Sequence, residues 1–115
     1  MAEYLVLIYE DESAIEQADP SAWQTMMDGH NAFGAAHGDA IRGGNALQPA
    51  GTATSIRGDG NGGFTITDGA FAETKEALGG YYLLEAADLD EAIALAQAVP
   101  AAFGGVEVRP VRPLG

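Results

Sequence analysis

Apolar and polar positions divide this chain into a short series of elements. Residues 3–9 carry Tyr4, Leu5, Val6, Leu7, Ile8 and Tyr9 with little polar interruption, the pattern of a buried strand. An acidic loop, Glu10-Asp11-Glu12, follows. Asp19-Pro20 marks a helix start, because Asp can cap the first free N–H groups and Pro is tolerated at the first helical position. This helix is expected to run to about His37, with Gly38 as its stop. Trp23, Met26, Met27, His30, Phe33 and His37 recur at spacings of three and four and form its apolar stripe. Gly29 and Gly34 each cost such a helix about 1 kcal/mol relative to Ala, so packing must hold it.

A second strand is expected over residues 40–47, interrupted by Gly43-Gly44. Residues 53–57 and 63–67 read as a hairpin around Asp59-Gly60-Asn61-Gly62, where Gly and Asn supply positive φ. Residues 80–86 read as a further strand, entered through a Gly79-Gly80 hinge. Asp88 and Glu91 have the spacing of a capping box. The helix they open is expected over residues 89–99, burying Leu89, Ala92, Ile93 and Ala96 and stopping at Pro100. Residues 106–111 form the last strand. The order is strand, helix, strand, hairpin, strand, helix, strand. Two βαβ-like halves of this length predict an α+β ferredoxin-like sandwich with an inserted β-hairpin and its helices on one sheet face. Tyr, Leu and Val on both faces of residues 3–9 and 80–86 then require the other face to be covered, which predicts a homodimer.

With 115 residues the chain is expected to be one domain, residues 1–115, and its 47% hydrophobic content argues against disorder. Its balance of 5 basic against 17 acidic residues, a net charge of −12, repels phosphate backbones and anionic lipid, which excludes nucleic-acid binding. No apolar run reaches the ~18 residues of a membrane span, and Met1-Ala2-Glu3-Tyr4 lacks the basic start of a signal peptide. The absence of cysteine removes disulfides, thiolate nucleophiles and thiolate metal sites. A cytoplasmic location is the expectation.

Candidate chemistry is densest between Thr67 and Tyr82. Asp68-Gly69 alone would serve a turn, yet the connection also holds Phe71, Glu73, Lys75 and Glu76. Asp68 is a candidate general acid or base, or a turn residue. Glu73 and Glu76, three apart, could divide acid and base roles, or simply solvate the turn. Lys75 could hold an anionic substrate or pair with Glu73. His30 has the side chain best suited to proton transfer near neutrality, although an apolar stripe also accommodates a merely packed His. Arg57 could clamp a carboxylate or balance Asp59. Trp23 and Tyr81 could line a small apolar pocket or belong to the core. His37 caps its helix end, and with His30 and Asp39 it matches no metal-ligand spacing, so no metal is expected. The Gly pairs read as hinges or bulges. None precedes a helix as a phosphate-binding loop requires, so no nucleotide cofactor is expected.

Segments along nearly the whole chain also carry a resemblance: the opening Tyr4 to Tyr9, Asn45-Ala46-Leu47-Gln48-Pro49, Ser55-Ile56-Arg57, the stretch Thr67 to Tyr82, and the close Val106 to Val111. In these it resembles the YCII-related family, in its DGPF-domain branch. One departure is Ala70, where the family usually has Pro after Asp-Gly. The resemblance implies two chains packed sheet to sheet as a dimeric α+β barrel. Relatives are known for a His–Asp pair whose His lies on the first helix. Counting back from Gly38 reaches Met27, so His30 stands about one turn from that position. By analogy with other dimeric α+β barrels, the chain looks like a cofactor-free acid–base enzyme, isomerase- or lyase-like, acting on a small oxygenated molecule. Asp68, His30 and Glu73 would then be catalytic, and Arg57, Lys75, Tyr81 and Trp23 would bind substrate. The alternative is a non-enzymatic ligand-binding or regulatory module linked to sigma-factor systems, as DGPF-type proteins are often encoded beside sigma factors.

Overall fold

In the computed structural model, which describes residues 1–71 and 74–114, the opening apolar run forms β1 (Ala2–Glu10). It is followed by α1 (Glu12–Gln17), α2 (Pro20–His37) and β2 (Ile41–Ala46). A single 3-10 turn, Ala50–Thr52, leads into β3 (Thr54–Gly58) and β4 (Phe64–Asp68). The chain closes with β5 (Ala77–Ala86), α3 (Leu89–Ala96) and β6 (Gly104–Pro110). Four strands form an antiparallel sheet in the order β2-β5-β1-β6, while β3 and β4 pair only with each other. This is the ferredoxin-like α+β arrangement, with the two-stranded hairpin inserted between its second and third sheet strands.

Local chemistry accounts for the helix starts. Asp19 accepts a hydrogen bond from the Ser21 N–H at 3.0 Å, with Pro20 in the first turn. Asp88 accepts from the Glu91 N–H at 2.9 Å, while the Glu91 carboxylate accepts from the Ala87 N–H at 3.2 Å. The capping box is therefore closed one residue earlier than its usual partner. Asp11 caps α1, accepting from the Ser13 and Ala14 N–H groups. The supposed acidic loop is thus three different things: Glu10 ends β1 and is buried, Asp11 is a cap, and Glu12 begins a helix.

Side chains sort by the two-residue strand period. Tyr4, Val6, Ile8 and Glu10 face the helices with Tyr82, Leu84 and Ala86, and the core forms around Val6, Ile8, Phe33, Leu84, Ala96 and Val99. Leu5, Leu7 and Leu83 point to the opposite face and join neither core cluster. The radius of gyration is 16.2 Å, against about 13 Å for a closed domain of this length. Extents of 47 × 45 × 17 Å describe a flat body, and among the described residues Leu5, Leu7 and Leu83 lie on the face away from the helix-side core.

Three expectations need correction. α3 ends at Ala96, and Leu89 and Ile93 are exposed; the inward positions are Ala92, Leu95, Ala96 and Val99. Gly38 stops α2 where expected, in a right-handed conformation. Gly60 and Gly62 have positive φ in the hairpin turn, but Asn61 does not. Gly79-Gly80 is not a hinge, because β5 already begins at Ala77; Gly79 is a bulge, with Ile8 opposite Gly80 and Tyr9 opposite Leu78.

Candidate functional site

Of α2, only Phe33 is fully buried; Trp23 and Met27, nearer its start, remain 57% and 40% exposed. This half of the helix does not fill the space above the sheet. A cavity of about 430 Å³ lies there, between α1, α2 and the strands β1, β2 and β5. Trp23, Met26 and Met27 wall it from α2, and Ile15 and Leu47 from the flanking segments. Beneath it lie Gly44, Gly79 and Gly80, which have no side chains to occupy it. A methyl group on Gly44 would stand 2.9 Å from the Tyr82 ring and 2.7 Å from the Tyr81 carbonyl oxygen. Gly44 therefore has no room for a side chain beside Tyr81 and Tyr82.

Polar groups enter this apolar space at few points. The His30 Nδ1 and the Tyr82 hydroxyl are 2.7 Å apart, with the Phe33 ring packed against Tyr82 at 4.9 Å between centroids. Partial burial lowers the His30 pKa and raises that of Tyr82, so near neutral pH imidazole and phenol are both uncharged. In one tautomer the Tyr82 O–H donates to Nδ1; in the other Nδ1–H donates to the phenol oxygen and Nε2 is the free base. Such a pair can take up or release a proton at the ring with little rearrangement.

Glu10 is the second polar feature. It is only 6% exposed, and among the described residues its hydrogen bond is from the Phe103 N–H, a long 3.4 Å to Oε2. Burial raises its pKa, and the Phe103 contact opposes that only in part. The sign of the pH effect follows. Between the ordinary glutamate value and its own raised value, folded Glu10 holds a proton that the unfolded chain has already lost. Its favourable contribution to stability is complete below that window and disappears as pH rises through it. Glu10→Gln is therefore expected to unfold at a higher temperature than wild type near pH 7. The gap should close near about pH 4, where the wild-type side chain is also neutral. Thermal unfolding at the two pH values checks this, and an unchanged gap would contradict it.

The residues expected to act together are divided by the fold. His30, Trp23 and Tyr81 border the cavity, and the Tyr81 hydroxyl accepts a hydrogen bond from the Asn45 amide at 2.9 Å. Asp68 ends β4 opposite Thr54, exposed, on the separate hairpin. The turn after it is held by Ser55, whose hydroxyl donates to the Gly69 carbonyl at 2.6 Å. Arg57 lies on β3 with its guanidinium 4.7 Å from the centre of the Phe71 ring. Lys75 borders a different depression, with Tyr9, Glu76 and Glu107. Glu73 lies outside the described residues. Within one chain, neither Asp68 nor Arg57 lines the cavity that holds His30.

Glu10 and Tyr82 were not among the expected site residues, and both left a signal. Glu10 continues the inward series Tyr4, Val6, Ile8, a carboxylate where the strand period demands an apolar residue. Tyr82 shares the face of Leu84 and Ala86, where a phenol needs a partner.

Fold and cavity together define a ferredoxin-like α+β domain with a pocket of small-molecule size between helices and sheet. A family model for the YCII-related domain matches residues 2–115, and the chain belongs to that family. It is similar to an uncharacterised protein of Rhizobium meliloti (strain 1021), 35% identical over 113 residues that span 94% of this chain and 90% of the relative. No helix among the described residues is long and apolar enough to cross a membrane.

Proposed function

We propose that the cavity binds a small, partly apolar, oxygenated molecule and that His30 transfers a proton on it, as in cofactor-free isomerases and lyases. The observation that carries this reading is the 2.7 Å pairing of His30 and Tyr82 at the wall of an otherwise apolar cavity. A neutral imidazole can accept a proton from a carbon or oxygen acid, and Tyr82 steadies the ring in either tautomer. Apolar walls of Trp, Met and Ile lower the local polarity and strengthen a hydrogen bond to the ligand. The working unit in this reading is a homodimer packed through the face of Leu5, Leu7 and Leu83.

Proton exchange provides the test. Small cyclic ketones and unsaturated lactones, incubated with the protein in D₂O, are expected to gain deuterium next to the carbonyl. His30→Gln keeps polar contacts but not basicity, and should slow this exchange by about a hundredfold or more. Exchange unchanged in His30→Gln would overturn the assignment of His30 as base.

A second reading, a non-enzymatic ligand-binding or regulatory module, is favoured by the placement of Asp68 and Arg57 outside the cavity. It expects the same compounds to bind without exchange.

A further inference from the structure

The distribution of charge around the cavity bears on what can enter it. The chain has five lysine and arginine side chains, and none lines the cavity; the His30 ring, whose pKa burial lowers, does. Arg42 is 3.4 Å from the Glu85 carboxylate, Arg57 covers Phe71 and Lys75 borders the other depression. Arg109 pairs with Glu107, and Arg112 follows the last strand. Three carboxylates, by contrast, do line it: Glu10, Glu12 and Glu16. Glu12 is already engaged, accepting the Ala50 N–H at 2.9 Å, and Glu16 is exposed. Glu10 is buried and, among the described residues, receives one long hydrogen bond, so it retains acceptor capacity toward the cavity it lines.

We propose that the ligand is a cation, a compact apolar molecule bearing an amine whose N–H groups are received by the Glu10 carboxylate. This rests on reading the cavity as a ligand site and narrows it to a class. An anion would meet three carboxylates and no counter-charge, in surroundings where Coulomb forces are weakly screened. A neutral ligand would leave an ionised Glu10 without a partner for its charge. An ammonium supplies that partner in a charge-assisted hydrogen bond. Its apolar body has Trp23, Met26 and Met27 to pack on, and Trp23 can also face the cation. Arg57 and Lys75, which an anionic substrate would need, lie elsewhere.

Three probes with one apolar body separate the cases: 2-phenylethylamine, 2-phenylethanol and phenylacetate. Each is titrated into the full chain by calorimetry and by the fluorescence of Trp23, its single tryptophan. The amine is expected to bind at least about tenfold tighter than the alcohol, with phenylacetate weakest. Glu10→Gln, which preserves shape and the Phe103 contact, should bring the amine to within about twofold of the alcohol. Alcohol or carboxylate binding as tightly as the amine would refute the cation while leaving the cavity as a ligand site. An amine preference that survives Glu10→Gln would refute it too, since general attraction to an acidic surface would then explain the preference. Failure of all three to perturb Trp23 or release heat would remove the ligand-site reading itself, and this inference with it.

Discussion

Leu83→Arg is expected to sediment as a monomer at concentrations where the proposed wild-type dimer forms. Leu83 lies opposite Leu5 on β1 and Gly43 on β2, on the sheet face that no helix covers. Leu5, Leu7 and Leu83 form its apolar centre; the Glu107–Arg109 pair stands on the flanking strand β6, and Arg42 on β2 reaches Glu85 at the end of β5. An apolar centre with a charged rim is the anatomy of an interface. The other evidence is the 17 Å thickness, which leaves one side of the sheet without a second layer. In a twofold dimer the same patch meets itself, so each substitution counts twice. An unpaired guanidinium buried there should weaken association by at least about a hundredfold. The monomer should keep its fold, because Val6, Leu84 and the rest of the core lie on the opposite face. A wild-type monomer would refute the dimer. A variant that remains dimeric with unchanged affinity would place the contact on another surface.

How much of this was legible beforehand depended on whether the signal was local. α2 could be read almost to the residue, since Asp19, Pro20 and a three-four apolar spacing are all contained in the segment they define. The hairpin was legible for the same reason, from Gly60 and Gly62. α1 was not, because its six residues bury nothing and so leave no periodic trace. The inward face of α3 was misjudged because Leu89 and Ile93 are more apolar than Ala92 and Ala96, yet the small alanines let the helix lie close to β5 and β6. In α3, shape overrode hydrophobicity.

The site was legible only in pieces. His30 and Trp23 stood out by residue type, and both border the cavity. Asp68 and Glu73 stood out by their place in a dense acidic connection, a criterion that says nothing about what lies across the sheet. The groups that join His30 around the cavity, its partner Tyr82 at 52 positions' distance and the lining carboxylate Glu10 on β1, depend on the register of β1 against β5. That register follows from the alternation of Val6, Ile8, Leu84 and Ala86 taken together, and no single segment displays it. Glycine was misleading in the same way. Gly44 and Gly80 look like flexible joints in one dimension, and in three they line the cavity floor where the neighbouring strand leaves little room for a Cβ.

Gly104→Ala and Gly105→Ala, adjacent and chemically identical substitutions, are expected to behave in opposite ways. Gly104 lies opposite Glu10, and a Cβ there would run into the Tyr9 carbonyl oxygen and stand 2.6 Å from the Glu76 carboxylate. Backbone cannot yield as a flexible side chain can, so the start of β6 must move away from β1. Gly105 has no atom within 4 Å of its Cβ position. Gly104→Ala should therefore lose about 3 kcal/mol or more, lowering the unfolding midpoint by more than about 10 °C. Gly105→Ala should stay within about 0.5 kcal/mol of wild type, because alanine also restricts the unfolded chain. The consequence reaches the cavity. Phe103, next to Gly104, donates its N–H to Glu10 and accepts the Asp11 N–H at 3.0 Å, so displacing this corner releases the carboxylate from its fixed position. Gly104→Ala should thus lose the amine preference at temperatures where it remains folded, and Gly105→Ala should keep it. Equal unfolding midpoints would show that β1 and β6 do not approach so closely at Glu10. A Gly104→Ala protein that is destabilised yet still prefers the amine would show that Glu10 does not depend on the Phe103 corner for its orientation.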